Sequence, residues 1–321
     1  MPTRREAVVA AAYQSITVGS KSFAAASKLF DPVTRERAWL LYAWCRACDD
    51  LADGQDHGHG MSIVADPMAR LALLTERTEQ ALRGEWTGDP PFDALGLVAA
   101  ETGLPRGYMR DHITGFALDA ADWRPQTEDD LLRYCYHVAG VVGCMMAVVM
   151  GVDPGDEATL DRACDLGLAF QLANIARDIG EDASVGRCYL PTDWLAEKGI
   201  PPAALMATAH RPALTELVAR LTDGAAAYEE SARFGTPALP LRSAWAVLAA
   251  AAIYGGIGRE VARRGGHAWD SRVITSRRQK LGWMTSAYAQ SVRRTARYPN
   301  SPRDPALWTR PRQHPLTASN G

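Results

Sequence analysis

The chain has 321 residues, of which 47% are hydrophobic and 22% charged, and its formal net charge is −2. That composition excludes a disordered chain, and the near-neutral balance excludes a global basic field for nucleic acid. Alanine is abundant and β-branched residues are sparse, which favours helix.

Residues 1–12 carry charge without an apolar core ahead of a cleavage site, so no secretory leader is expected. Asp31-Pro32 reads as an N-cap followed by proline at the first helical position, opening a helix to about Asp53. Residues 54–60 read as a Gly/His/Asp loop. Asp66-Pro67 repeats the start signal for a helix to about Arg83, and Pro90 and Pro105 open two shorter ones. Thr127, with Asp130 three residues on, caps a helix to about Met150. Asp156 opens a long helix to about Asp182, and further helical runs cover 211–233, 240–264 and 272–296. Turns are expected at 186–191 and 235–240. No strand pattern and no internal repeat is visible. The expected architecture is one all-α domain over residues 1–298, with a loosely ordered, proline-rich tail over 299–321.

The apolar stretches 138–152 and 244–258 fall short of the ~18 residues of a membrane span. They read as helices buried against helices, and surface association with a membrane stays open. Of six cysteines, Cys45 and Cys48 form a CxxC with no second pair and no βαβ context, so core packing is expected rather than zinc or redox chemistry. Reduced thiols make the cytosol the expected compartment. Apart from Lys21, Lys28, Lys198 and Lys280, all basic residues are arginine. Genomic base composition accounts for that as well as a need to grip anions does.

Two acidic clusters stand out. In RACDDLAD a helix advances about 100° per residue, so relative to Arg46 the side chains of Asp49, Asp50, Asp53 and Tyr42 fall at about −60°, +40°, −20° and −40°. All five share one face. Stacked aspartates near a helix C-terminus repel each other and the helix dipole. In QLANIARDIGEDA, Gln171, Asn174, Asp178 and Asp182 form a second polar stripe, with Arg177 and Glu181 pointing elsewhere. A solvated face explains either cluster singly. Two facing stripes of oxygen ligands suit Mg²⁺ and, through it, a diphosphate. No P-loop, GxGxxG, GxSxG or HExxH is present. The remaining chemistry is loss of diphosphate from an allylic ester, with the cation held in a dry pocket near aromatics such as Tyr42, Tyr134, Phe170 and Tyr254.

Over about residues 13–297 the chain resembles the squalene/phytoene synthase family. The resemblance rests on SKSF at 20–23, YAWCRACDDLAD at 42–53, YCYHVAGVVG at 134–143, QLANIARDIGEDA at 171–183 and GRCYLP at 186–191. Tyr254 and Arg272 extend it toward the C-terminus. It implies a class I isoprenoid-synthase fold, a single bundle of antiparallel helices around an apolar cavity. It implies head-to-head joining of two geranylgeranyl diphosphates to a cyclopropyl diphosphate, then ionisation, rearrangement and proton loss to phytoene.

By the same resemblance Asp49, Asp53, Asn174, Asp178 and Asp182 are Mg²⁺ ligands, with Mn²⁺ as a substitute. The catalytic set is Asp49, Asp53, Asp178, Asp182, Arg46 and Arg177. Ser20, Lys21, Ser22, Tyr42, Arg46, Gln171, Arg177, Tyr254 and Arg272 contact the isoprenoid diphosphate. Asp50 supports the cluster from behind. Gly19 departs from members that carry His there. No NADPH is expected, because the likeness is closer to the non-reducing members. Downstream carotenoid enzymes are candidate partners, and the cytoplasm, including the inner membrane face, is the expected location. A farnesyl-using dehydrosqualene or squalene-type synthase, a class I terpene cyclase and a non-catalytic helical scaffold remain as alternatives.

Overall fold

The computed structural model describes residues 3–53 and 66–312, with the side chains of Lys21, Ser22, Ala52 and Asp53 outside the described residues. The loop expected over 54–60 also lies outside them. Among the described residues there is no strand.

Helix α1 (Arg4–Gly19) precedes anything the sequence signals above foresaw. It buries Val8, Ala12 and Ile16, one residue per turn, and Thr3 closes a capping box with Glu6. The short α2 (Lys21–Ser27) follows after Ser20. The α3 helix (Pro32–Asp53) starts where Asp31 accepts from the backbone N–H groups of Val33 and Thr34, at 3.0 and 3.1 Å. Next come α4 (Pro67–Leu82), α5 (Pro90–Thr102) and α6 (Arg106–Ala120), each begun at or beside an expected proline.

The helix expected from Thr127 to Met150 is interrupted. It comprises α7 (Glu128–Cys135), one π-helical turn (Tyr136–Gly140) and α8 (Val141–Val149). Such bulges re-aim side chains and cluster at functional sites. Here the turn places Val138 and Ala139 on a cavity wall. The longest helix, α9 (Glu157–Ser184), has 28 residues and spans about 42 Å. It packs against α8, α11 (Arg211–Arg233) and α12 (Leu241–Arg264) and forms the spine of the bundle. Between α9 and α11 lies α10 (Thr192–Glu197), and α13 (Arg277–Val292) and α14 (Arg294–Arg297) follow α12.

Close approach of α8 and the π turn to α9 depends on two glycines. A Cβ at Gly143 would meet the Ala163 carbonyl oxygen at 2.3 Å, and one at Gly167 would meet that of Ala139 at 2.3 Å. Two stretches, Glu128–Val149 and Leu241–His267, are long and apolar enough to cross a membrane, which corrects the shorter lengths read from sequence. Much of each is buried within the bundle, so interior packing accounts for the composition.

Residues 301–312 differ from the loosely ordered tail expected from Pro299. They form an extended strap held by ion pairs. Arg303 grips Asp165 at 2.6 and 2.9 Å, while Arg310, whose side chain is fully buried, pairs with Glu157 and lies 3.0 Å from Asp161. The Trp308 indole N–H donates to Asp129 at 2.9 Å. Apolar periodicity could not reveal this segment, because arginines rather than a hydrophobic face hold it down.

Candidate active site

The bundle encloses a cavity of about 400 Å³ lined by α3, the π turn, α8, α9 and α12. One face of α9 runs along it: Thr159, Ala163, Leu166, Gly167, Phe170, Gln171 and Asn174 all line the wall, at helical spacing. Asp178 and Asp182 continue the same register beyond the cavity, one and two turns on. From α3 come Leu41, Tyr42, Cys45, Arg46 and Asp49. Tyr42, Arg46, Asp49, Gln171 and Asn174 therefore gather at one end; Thr159, Arg162 and Thr236 also line the cavity, and the rest of the wall is mostly apolar.

At the polar end Arg46 Nη1 stands 3.6 Å from Asp49 and 3.9 Å from Asp50. Its guanidinium carbon lies 5.9 Å from the Tyr42 ring centroid. Three buried polar atoms here have no hydrogen-bond partner: Tyr42 Oη, Arg46 Nε and Asn174 Oδ1. Leaving such atoms unsatisfied is costly. An N–H and an O–H donor suit a phosphate oxygen, and an amide oxygen suits a hard cation. Gly19 belongs to this corner, since a Cβ there would lie 2.7 Å from Tyr42 Oη. A larger residue at position 19 would have to displace the tyrosine hydroxyl.

On α9 the helical-wheel placement of Arg177 and Glu181 needs correction. The Arg177 guanidinium folds back onto Asp178, with Nε donating to Oδ1 at 2.7 Å. Arg272 bridges Asp178 at 3.4 Å and Glu181 at 2.5 Å. Long side chains thus return to a stripe that their Cβ directions leave. Burial, with Asp178 next, pushes the Asp182 carboxyl up to about 7. Crowded carboxylates of this kind are relieved by a bound cation, so the donor set fits Mg²⁺. Among the described residues, no three His, Cys, Asp or Glu side chains are grouped so as to hold a metal ion by themselves. The Asp53 side chain, a sequence candidate, lies outside the described residues, as do those of Lys21 and Ser22.

Ser20 has a structural task, because its Oγ accepts from the Phe23 N–H at 3.3 Å and caps α2. Gln171 lines the cavity beside Asn174. Tyr254 stacks on Phe170 with centroids 4.1 Å apart, and Phe23 stands 6.0 Å from Tyr254 and 6.1 Å from Tyr42. Burial pushes the Tyr254 phenol up to about 12, so it stays neutral. Of the aromatic candidates, Tyr134 alone is not on the cavity wall. Its hydroxyl donates to Asp119 at 3.1 Å and its ring stacks on Tyr189 at 5.0 Å. Tyr189 also donates to Asp119, at 3.3 Å. Asp119 escaped the sequence reading because it stands outside both acidic clusters. All six cysteines are free thiols, and burial raises those of Cys45 and Cys48, as expected for packing residues.

An all-helical bundle with an apolar cavity and paired oxygen-ligand stripes at one end defines the class I isoprenoid synthases. The profile of squalene/phytoene synthases matches residues 16–280, and the chain belongs to that family. It is 51% identical to the 15-cis-phytoene synthase of Enterobacter agglomerans, over 92% of this chain and 99% of that one. It is 48% identical to the enzyme of the same name from Pantoea ananas, over 94% and 97%. Among solved structures it superposes on a dehydrosqualene synthase with a TM-score of 0.79 at 27% identity, covering 89% of this chain and 96% of that one. A squalene synthase from Alicyclobacillus acidocaldarius follows with a TM-score of 0.71 at 26% identity, covering 83% and 97%.

Proposed function

We propose that the chain is a phytoene synthase that joins two geranylgeranyl diphosphates head-to-head, releases diphosphate twice and uses no reductant. The observation that carries this is the cavity itself, apolar along most of its length, with unsatisfied donors and acceptors gathered at one end. High identity to phytoene synthases over nearly the whole chain supports the product.

In this reading Arg46 and Tyr42 donate to the diphosphate of an ester whose hydrocarbon lies in the cavity. Arg177 and Arg272 hold Asp178 oriented and offer further positive charge as the leaving group departs. Bound Mg²⁺, held by Asp49, Asp53, Asn174, Asp178 and Asp182, would draw charge off the leaving diphosphate. The stacked Phe170 and Tyr254, with Phe23 and Tyr42 nearby, present π faces to the allylic cation. The aliphatic wall keeps out water, which would otherwise capture the cation as an alcohol. The second prenyl chain attacks, one proton is lost, and a cyclopropyl diphosphate forms. A second ionisation, rearrangement and proton loss complete phytoene.

The test is incubation with Mg²⁺ and geranylgeranyl diphosphate without NADPH, with farnesyl diphosphate in parallel. Phytoene from the longer substrate supports the reading. Dehydrosqualene from farnesyl diphosphate alone, or a product containing one prenyl unit, refutes it. Cytoplasmic location with peripheral membrane contact belongs to the same proposal, since the product is a hydrocarbon. Co-sedimentation with lipid vesicles checks that part.

A further inference from the structure

One stretch of the chain carries charge of a single sign. Residues 271–303 hold eight arginine and lysine residues and no carboxylate, whereas the remainder of the chain stands at −10. The stretch leads into α13, which packs on α12. A Cβ at Gly256 would lie 2.4 Å from the Trp283 ring, the Trp245 indole N–H donates to the Met284 carbonyl at 2.8 Å, and Ala287 is buried. That is the one apolar face a surface helix of a bundle needs.

The same helix is apolar on a second face. Leu281, Tyr288 and Val292 fall within about 40° of arc, and all three are exposed. Ile274, in the lead-in to the helix, is 79% exposed and Leu281 67%, the two highest values for large apolar side chains among the described residues. Arg277 and Arg278 flank the stripe, at about −40° and +60° from Leu281. Both are exposed, as is Arg293 just past the last turn, and none of the three pairs with a carboxylate among the described residues.

We propose that this outer face of α13, together with Ile274, docks on an anionic lipid bilayer. The inference deepens, and rests on, the peripheral membrane contact proposed above. Exposed Leu, Ile and Val gain nothing from a nucleic-acid backbone, and a second copy of the face would repel the first. Aliphatic side chains flanked by arginine heads fit the boundary between headgroups and acyl chains. The lead-in also joins this face to the site. Arg272 reaches Asp178 and Glu181, while Ile274, two residues on, is exposed. Docking here sets the diphosphate end of the cavity near the lipid surface, where an amphiphile with an anionic head and a long hydrocarbon chain resides.

The experiment is flotation of the full-length protein with vesicles of phosphatidylcholine alone, or with about one-third phosphatidylglycerol. Wild type should float with the anionic vesicles and be released by high salt. Arg277→Ser with Arg278→Ser should lower that partition about 25-fold, near fivefold per charge. Leu281→Ser with Val292→Ser should lower it about tenfold or more. Met68→Ser, at a comparably exposed position on α4, should leave it unaltered. All five positions are exposed, so turnover of detergent-dispersed geranylgeranyl diphosphate should match wild type in every variant. Wild type that floats with neither vesicle overturns the proposal and leaves an acidic protein as the partner the charge fits. Equal flotation with neutral vesicles overturns it too, as do α13 variants that bind as wild type does. Phytoene formation is read separately: wild type that docks but makes no forty-carbon hydrocarbon overturns the function and not the docking face.

Discussion

Arg303→Ala tests how the strap is held. Arg303 places Nη2 and Nε 2.6 and 2.9 Å from a carboxylate with no solvent exposure. Burial already raises the Asp165 pKa, although Arg303 and Ser231 work against it. Removing the guanidinium leaves a buried charge with a hydroxyl as its main partner, a loss of about 3–5 kcal/mol at pH 7. For a chain of 321 residues that is a fall of about 4–7 °C in Tm. The carboxyl of the variant should then take up a proton more readily than in wild type. Its folded pKa lies above the unfolded value, so the folded chain binds more protons and stability falls as pH rises through that window. The deficit should therefore shrink as pH falls. Urea unfolding of wild type, Arg303→Ala, Asp165→Asn and the double variant measures the coupling directly. A deficit under about 1 kcal/mol, or a double variant no more stable than Arg303→Ala, would show that the pair does not anchor the strap.

Three further expectations follow from the site and the core. Asp178→Ala should lower kcat by about 10²–10⁴ while leaving helicity intact, and near-normal turnover in a Mg²⁺ titration would remove it from the metal site. Arg46→Lys exchanges a planar fork for a point charge and should cost about 10–100-fold in kcat/KM; unchanged steady-state kinetics would make Arg46 structural. Burial between Trp44 and Phe116 drops the His112 pKa from 6.5 to about 4, so the unfolded chain binds the extra proton between those values. Stability from this group is complete above about pH 6.5 and is lost as pH falls, by about 3 kcal/mol at pH 4. His112→Phe should flatten that part of the stability–pH curve, and an identical slope in the variant refutes the assignment.

Most of the fold was legible because its signals are local. Asp31-Pro32, Asp66-Pro67 and Thr127 with Asp130 each begin a helix by supplying an oxygen to orphan N–H groups, and that needs no partner elsewhere. The polar stripe of α9 was legible for a similar reason, since helical geometry alone places Asn174, Asp178 and Asp182 in line. The π turn was not legible, because its cause is the fit of one wall against α9. Nor was α1, whose three buried positions carry Val, Ala and Ile among many other alanines. Tyr134 was assigned to the cavity by its type, but a carboxylate fifteen residues earlier in the chain turns its hydroxyl elsewhere.

By itself the sequence determined the all-helical class, most helix starts, the two carboxylate stripes and the family, because each is written in spacings of a few residues. Tertiary structure alone decided which atoms of the site lack partners, that Arg177 and Arg272 converge on Asp178, and which side chains line the cavity. Those depend on contacts such as Arg272 with Glu181, 91 residues apart, which no local periodicity encodes.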